Sequence, residues 1–357
     1  MNKFIILQTV TPSYRNKFFD YLRGVIKDDF QLYSGDCYFE KSVTSDLTYS
    51  KRNKITNFFF LNRIFLFQFG MWSIIFRKNI LVLEMNPRII SNWIILIIRK
   101  TLNRKTVLWG HAWPRAGKNS FSDKIRHLMR LMGNIIIVYT KTQQKELLIK
   151  MPNKKIYFAS NSLYQISEMK TNHSKSLINN MIYVGRLTRS KKPFLFIKSF
   201  HAIFNKLPKN TKLYLVGDGP EKQKISEYIK QNNLNSRIEL YGHVDDYKTL
   251  KQLYFSSLFS ISPGYIGLSV TQSFGFGVPM IVSKHENHSP EIEAVKEGEN
   301  AIYFQTDNVD NLCDKILHMY EFRDKWIDKR KNIVKDCQTN YSIEVMCSPF
   351  IEVYHQN

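Results

Sequence analysis

The amino-acid sequence predicts an α/β fold built from two doubly wound, parallel-sheet domains in tandem, and three observations carry that reading. The second half repeats one pattern, a short β-rich run closed by Gly or Pro and then a longer helical stretch: MIYVG (181–185), KLYLVG (212–217), RIELYG (237–242), LFSISP (258–263) and PMIVS (279–283). Continuous apolar runs alternating with helices belong to parallel sheets buried on both faces. The first half shows the same habit in FIILQ (4–8), ILVLE (80–84), TVLWG (106–110), NIIIVYT (134–140) and KIYFAS (155–160). Finally, 357 residues that are 43% hydrophobic and 14% aromatic are more than one core absorbs, since domains cluster near about 100–200 residues. Doubly wound sheets bind ligands beyond the carboxyl ends of their strands, so a tandem pair is expected to offer a cleft between facing strand ends.

Taken in order, the N-terminal MNKFIILQTVTPSYRNKFF has too short an apolar run, and no small-residue cleavage site, for a signal peptide. It reads as the first strand and a helix that Tyr14 and Arg15 begin. ITNFFFLNRIFLFQFGMWSIIF (55–76) is long enough to span a bilayer, but Asn57, Asn62, Arg63 and Gln68 interrupt it. A central Arg costs about 2.5–3.5 kcal/mol even on an insertion scale. IISNWIILIIRK (89–100) is too short to cross. Aromatic faces rimmed by Arg99 and Lys100 suit a headgroup boundary, so interfacial helices are expected over 55–100, with ordinary core helices as the alternative. EMKTNHSKSLINN (168–180) is polar and marks the boundary. Residues 1–170 are then the first domain, 178–335 the second, and 336–357 a terminal segment crossing back to the first.

The net charge of +22 is unevenly placed: residues 1–175 hold 29 Lys/Arg and 10 Asp/Glu, residues 176–357 hold 23 and 20. Within 51–150 the balance is 19 basic to 3 acidic, so the first half should attract polyanions or an anionic membrane surface. Four cysteines (Cys37, Cys313, Cys337, Cys347) show no CxxC pair and no His at ligand spacing, which argues against a disulfide framework or a zinc site and fits a reducing cytosol. With 25 Phe, 19 Tyr and 5 Trp, disordered and collagen-like polymers are excluded.

Four stretches carry chemistry. In GRLTRSKKP (185–193), Arg186 and Lys191 leave a strand end together and can converge on a phosphate, the alternative being a solvated basic loop. KLYLVGDGPEKQKI (212–225) is a strand, a tight turn at Gly217 and Gly219, and a helix start. It is not a dinucleotide fingerprint, because Pro220, Glu221 and Lys222 follow Gly219 where a third glycine is required. RIELYGHV (237–244) ends with Gly242, His243 and Val244, which can present backbone groups to a flat base. In SPGYIGLSVTQSFGFGVPMIVS (262–283), Gly264 and Gly267 follow a strand end and LSVTQSF starts a helix. The amides of Gly267 and Leu268 should therefore point at an anion, and Gln272, one turn further, can reach a hydroxyl.

The order GRL with a Lys five residues after the Arg, VGDGP, YGHV, a Gly-Leu loop before a helix, GVPMI and PEI resembles the retaining "group one" nucleotide-sugar glycosyltransferases of the GT-B fold, over about residues 181–304. The resemblance implies two Rossmann-like domains facing across a cleft and a nucleotide diphosphate sugar as donor. It implies that Arg186 and Lys191 hold the donor diphosphate, that Gly185, Gly217, His243 and Val244 lie on the donor side with Val244 by the base, and that Gly267 and Leu268 contact phosphate through their amides. The family usually carries two glutamates eight positions apart, which here fall on Gly264 and Gln272. Gln272 can still bond a ribose hydroxyl. Gly264 cannot replace a carboxylate, so Glu291 in HENHSPEIEAV is the candidate near the sugar, with a helix N-terminal carboxylate after Pro290 as the alternative.

On the acceptor side, QTVTPSYRNKFFDYL (8–22) supplies Tyr14 and Arg15, and VLWGHAWPRAGKN (107–119) supplies His111, Arg115 and Lys118. In the family a His at such a strand end often approaches the donor sugar. A leaving diphosphate gains charge, which paired cations and amides stabilise most in the transition state. Neither metal nor cofactor is then expected, and the resemblance implies that the leaving phosphate assists the incoming hydroxyl. Expected partners are a nucleotide sugar, a lipid-linked or oligosaccharide acceptor and an anionic membrane surface. The expected place is cytoplasmic, peripheral at the inner face of the cell membrane, in polysaccharide, O-antigen or capsule biosynthesis. A GT-B-fold nucleotide-sugar epimerase would need acidic catalysts that this loop lacks. A nucleic-acid-binding protein using the basic half is the rival of another class, but no RNP, zinc-finger or helix-turn-helix signature is present and nucleic acid is not expected.

Overall fold

The computed structural model describes residues 3–41, 43–46 and 53–356. It divides into two compact units, Met1–Leu163 with Ile343–Asn357, and Tyr164–Ser342.

The first unit runs β1 (Phe4–Gln8), α1 (Asn16–Ile26), β2 (Phe30–Ser34), β3 (Thr56–Phe60), β4 (Phe65–Phe69), α2 (Trp72–Ile75), β5 (Ile80–Glu84), α3 (Ile90–Thr101), β6 (Thr106–Trp109), α4 (Phe121–Met132), β7 (Ile135–Val138), α5 (Lys141–Lys150) and β8 (Lys155–Phe158). Six strands form a parallel sheet in the order β2-β1-β5-β6-β7-β8. Because neighbouring strand residues face opposite sides, Phe4 and Ile6 enter one core with Phe18 and Phe350 while Ile5 and Leu7 enter the other with Met71 and Leu96. The C-terminal helix Ile343–His355 closes the first of these cores through Ile343, Met346, Phe350 and Val353.

Within 55–76 only the single turn α2 is helical, and Thr56–Phe69 is not. Thr56–Phe69 forms the antiparallel hairpin β3–β4, with Asn57 opposite Gln68 and Phe58 opposite Phe67. The polar interruptions face one another: Gln68 Nε2 donates to Asn57 Oδ1 at 3.0 Å. Leu61, Asn62 and Arg63 turn the chain at positive φ, and Arg88 donates to the Arg63 and Ile64 carbonyls at 2.8 and 2.7 Å. Alternating aromatic residues around a short turn suit a pleated surface better than a helix. The expected helix at 89–100 exists as α3, but Arg99 does not rim a membrane face. It is fully buried and donates to the carbonyls of Ile75, Asn79 and Lys105 and to Thr106 Oγ1 at 2.7–3.0 Å.

The second unit runs β9 (Asn180–Val184), α6 (Pro193–Ile203), β10 (Leu213–Val216), α7 (Lys222–Gln231), β11 (Ile238–Gly242), α8 (Tyr247–Ser256), β12 (Ser257–Ser262), α9 (Ser269–Gly275), β13 (Met280–Ser283), β14 (Ala301–Phe304), α10 (Val309–Glu321) and α11 (Arg323–Tyr341). Its parallel sheet has the order β11-β10-β9-β12-β13-β14, so the winding reverses between β9 and β12. The unit begins at Tyr164, ahead of the polar stretch, because the Tyr164 ring packs 5.2 Å from that of Phe276. It keeps α11 to its end, since Trp326, Ile327, Ile333 and Val334 are buried, and the return to the first unit starts at Ile343 rather than 336.

Candidate functional site

The carboxyl ends of β9 and β12 flank the switch point of the second sheet, and the loops leaving them meet. The chain after β9 passes Gly185 and Arg186 and makes a 3-10 turn, Arg189–Lys191. Lys191 Nζ donates to the Tyr265 carbonyl at 2.9 Å and lies 3.6 Å from the centre of the Tyr265 ring. Burial pushes the Lys191 pKa down to about 8; Glu291 opposes that shift and Arg186 adds to it. Arg186 is exposed, Glu291 is buried at the start of the turn Pro290–Ala294, and a side chain placed on Gly267 would come within 3.3 Å of the Lys191 ammonium. One strand edge thus gathers Gly185, Arg186, Lys191, Gly267, Leu268 and Glu291. His243 and Val244 follow β11 on the same edge, the first exposed and the second half-buried.

Two glycines are there for close approach. A Cβ on Gly217 would sit 1.9 Å from the Gly185 carbonyl oxygen, so Gly217 serves the packing of adjoining strand ends, which Gly185 N–H to Val216 O (3.0 Å) and Gly217 N–H to Gly242 O (2.7 Å) hold together. A Cβ on Gly264 would sit 2.3 Å from the Ser190 carbonyl oxygen. The space where a glutamate side chain would begin is filled by main chain of the Lys191 turn. Gln272 lies on α9, buried, with Nε2 donating to Tyr164 Oη at 3.0 Å and Oε1 accepting from Tyr254 Oη at 3.3 Å. The amide read from sequence as a ribose contact is engaged at both ends by tyrosines.

Sequence reasoning missed His288 and Ser289, just ahead of PEI. His288 Nδ1 accepts the Ile266 N–H at 3.0 Å, His288 Nε2 lies 2.9 Å from the Ser283 carbonyl oxygen, and Ser289 Oγ donates to the Ile266 carbonyl at 2.6 Å. A polar pair beside a buried carboxylate was the available signal.

In the first unit, Arg15 donates to Gln8 Oε1 and Tyr139 Oη, each at 3.3 Å, and stacks 4.6 Å from the centre of the Trp109 ring. The exposed His111 ring stands edge-on to Tyr139 at 4.7 Å, and Tyr14 is exposed beside Arg15. Arg115 and Lys118 are exposed on the loop before α4, where Lys118 pairs with Glu146. The missed residue is Glu84, the last of β5. The Thr9 N–H bonds its carboxylate, and burial raises its pKa against the pull of that bond and of Arg15. A single acid closing the apolar run ILVLE was the clue. Among the described residues, no group of three or more His, Cys, Asp or Glu side chains is placed to hold a metal ion.

Residues 168–336 match the family model described as glycosyl transferases group 1. The chain is 29% identical over 206 residues to an uncharacterized glycosyltransferase of Methanocaldococcus jannaschii, covering 52% of this chain and 49% of that one. It is 23% identical over 204 residues to a Campylobacter jejuni GalNAc-α-(1→4)-GalNAc-α-(1→3)-diNAcBac-PP-undecaprenol α-1,4-N-acetyl-D-galactosaminyltransferase, covering 56% and 55%. The chain thus spans about half the length of the curated relatives it matches. In fold it is similar to Anabaena HepE in complex with UDP (TM-score 0.71, 14% identity, all of both chains) and to the sucrose-phosphate synthase of Thermosynechococcus elongatus (TM-score 0.68, 14% identity, 100% and 99%). The two parallel sheets are those of the GT-B fold, and residues 168–336, most of the second unit, are similar to the glycosyl transferases group 1 family.

Proposed function

We propose that the protein transfers a sugar from a nucleotide diphosphate donor to a lipid-linked or polysaccharide acceptor at the cytosolic membrane face, with retention at the anomeric carbon and without a metal. The observation that carries this reading is the meeting of Arg186, Lys191 and Glu291 with the loop after β12 at the switch point of the second sheet. Arg186 and Lys191 take up the charge that grows on the leaving diphosphate, and they do so in a partly water-excluded site where such contacts count most. Glu291, beside Lys191, is the carboxylate available to the sugar. In the first unit, Arg15, Tyr139, His111 and Glu84 supply donors and acceptors for an acceptor hydroxyl. Complexes of the Anabaena neighbour with UDP and UDP-glucose favour a UDP-sugar, and the acceptor in the Campylobacter relative's name favours a lipid-linked diphosphate.

The membrane part of the reading rests on α4 and its neighbour α3. Phe121, Ile125, Leu128 and Leu131 form one exposed stripe on α4, with Ile94 and Ile97 exposed on α3, and Lys100, Lys118 and Lys124 stand near them in the chain. Residues 85–145 contain twelve Lys/Arg and one acid, Asp123, which is buried against Arg130 and Lys150. An apolar stripe rimmed by cations suits an anionic lipid surface. Among the described residues no helix is long and apolar enough to cross a membrane. The test is a thermal-shift panel of UDP-, GDP- and ADP-sugars, followed by transfer of the labelled sugar of the best binder into a butanol-extractable lipid fraction. Stabilisation by one nucleotide class with label in the lipid is expected; no shift with any nucleotide sugar refutes the reading.

A further inference from the structure

A trans peptide is planar, so its C=O and N–H point in opposite directions and pinning one end aims the other. The Tyr265–Ile266 peptide is pinned at both ends: Lys191 Nζ holds its carbonyl at 2.9 Å and His288 Nδ1 holds its N–H at 3.0 Å. The next peptide is fixed by Ser289 Oγ on the Ile266 carbonyl at 2.6 Å, which turns the Gly267 N–H away from Ser289. Because His288 Nδ1 accepts a backbone N–H, the imidazole proton sits on Nε2, 2.9 Å from the Ser283 carbonyl oxygen. The neutral ring makes both bonds. A protonated ring has no acceptor for Ile266.

We propose that His288 is a positioning residue for donor binding: its neutral imidazole sets the peptide that seats Lys191, and protonation of the ring releases that peptide and weakens the grip on the donor diphosphate. This rests on the donor reading given above. The charged groups acting on His288 are Lys191, from the turn after β9, and Glu286, on its own loop. Glu286 is paired with Lys192 at 2.6 Å, and Lys192 also reaches Asp307 at 2.7 Å. Burial lowers the His288 pKa, the bond to Ser283 and the Glu286 charge oppose that shift, and Lys191 adds to it. The sign follows. With the ring disfavouring a proton in place, the hold on Ile266 is complete above the ordinary histidine value near about 6.5 and is lost as pH falls through the lowered one.

The test is calorimetric titration of the full chain with UDP-glucose, GDP-glucose and ADP-glucose at pH 7.5, the best binder then being carried down to pH 5.0. In these sugar nucleotides both phosphates are esterified, so the ligand does not titrate in that range. Wild-type affinity is expected to fall several-fold, up to about tenfold, between the two ends, the effect of one hydrogen bond progressively lost. H288N puts an amide oxygen where Nδ1 lies and has nothing to titrate, so it should bind well with a flat profile. H288Q can still donate to Ser283 but offers Ile266 no acceptor, so it should bind weakly at every pH while melting cooperatively. A flat wild-type profile, or an acid limb that persists in H288N, overturns the proposal. Absence of binding by the wild type at pH 7.5 overturns the donor reading, and this inference with it.

Discussion

Lys191 and Arg186 sit on one strand end but differ in environment, and their substitutions should differ accordingly. Each charge-assisted contact to a diphosphate is worth about 1.5–3 kcal/mol, so R186A and K191A should each cut kcat/KM for a nucleotide sugar by roughly 10- to 150-fold with the fold retained. Near-normal turnover in both would remove the phosphate assignment. Lys191 adds a pH signature. Its pKa near 8 means the free site loses its ammonium above that pH, so donor KM should rise on the alkaline side in the wild type and the limb should move upward in K191R. Gln272 was legible as a polar side chain one turn into a helix but not as a partner of Tyr164 and Tyr254, which lie 108 and 18 residues away in sequence. Q272E should be tolerated, because both phenols can donate to a carboxylate. Q272L removes the amide bonded to two tyrosine hydroxyls and should lower the melting temperature as well as donor affinity, and a leucine variant with unchanged melting would contradict the buried network.

At the scale of elements, the parallel strands were readable because each is a continuous apolar run, and the hairpin was not. Phe-rich stretches at 55–76 give the same composition for a membrane-surface helix and for a half-exposed antiparallel pair. The pairing of Asn57 with Gln68 decides between them, and it exists only once the strands fold back. The edge strands β2 (FQLYS) and β14 (AIYF) were not read from the sequence, and β2 lacks the continuous apolar run of the central strands, alternating buried with half-buried residues. Arg99 shows the cost of reading a helix by its rim. Its guanidinium satisfies four acceptors without a carboxylate, so R99A should cost about 3 kcal/mol or more by stranding them, seen as a large drop in melting temperature. An unaffected melting curve would mean the charge is solvated. G264A tests the turn that replaces the family's glutamate. Even a methyl group meets the Ser190 carbonyl at 2.3 Å, so the Lys191 turn must shift and sugar-nucleotide affinity should fall together with stability.

At the scale of the whole chain, the excess positive charge and the apolar α4 stripe fall in the same unit. L128E with L131E replaces two exposed residues, 58% and 49% accessible, so folding should survive. Binding to vesicles of phosphatidylcholine with phosphatidylglycerol should drop at least about tenfold on the loss of their apolar burial. K100E with K124E should weaken binding at low salt and flatten its dependence on salt. Equal binding of the wild type to purely zwitterionic vesicles, or unchanged binding of L128E/L131E, would remove this surface from the reading.

By itself the sequence determined the α/β class, the doubling of the sheet, the family resemblance of the second unit and the identity of the two strand-end cations. Each of these is written in local order: apolar runs set against Gly-rich turns, and an Arg and a Lys five residues apart after one strand. Tertiary structure alone decided which of those polar groups are still available. Whether Gln272 meets a ligand or two tyrosines, whether Arg99 meets lipid or carbonyls, and whether His288 is a surface histidine or the clamp on Ile266 all depend on contacts between residues distant in sequence. A buried polar group must find its partner wherever the fold supplies one.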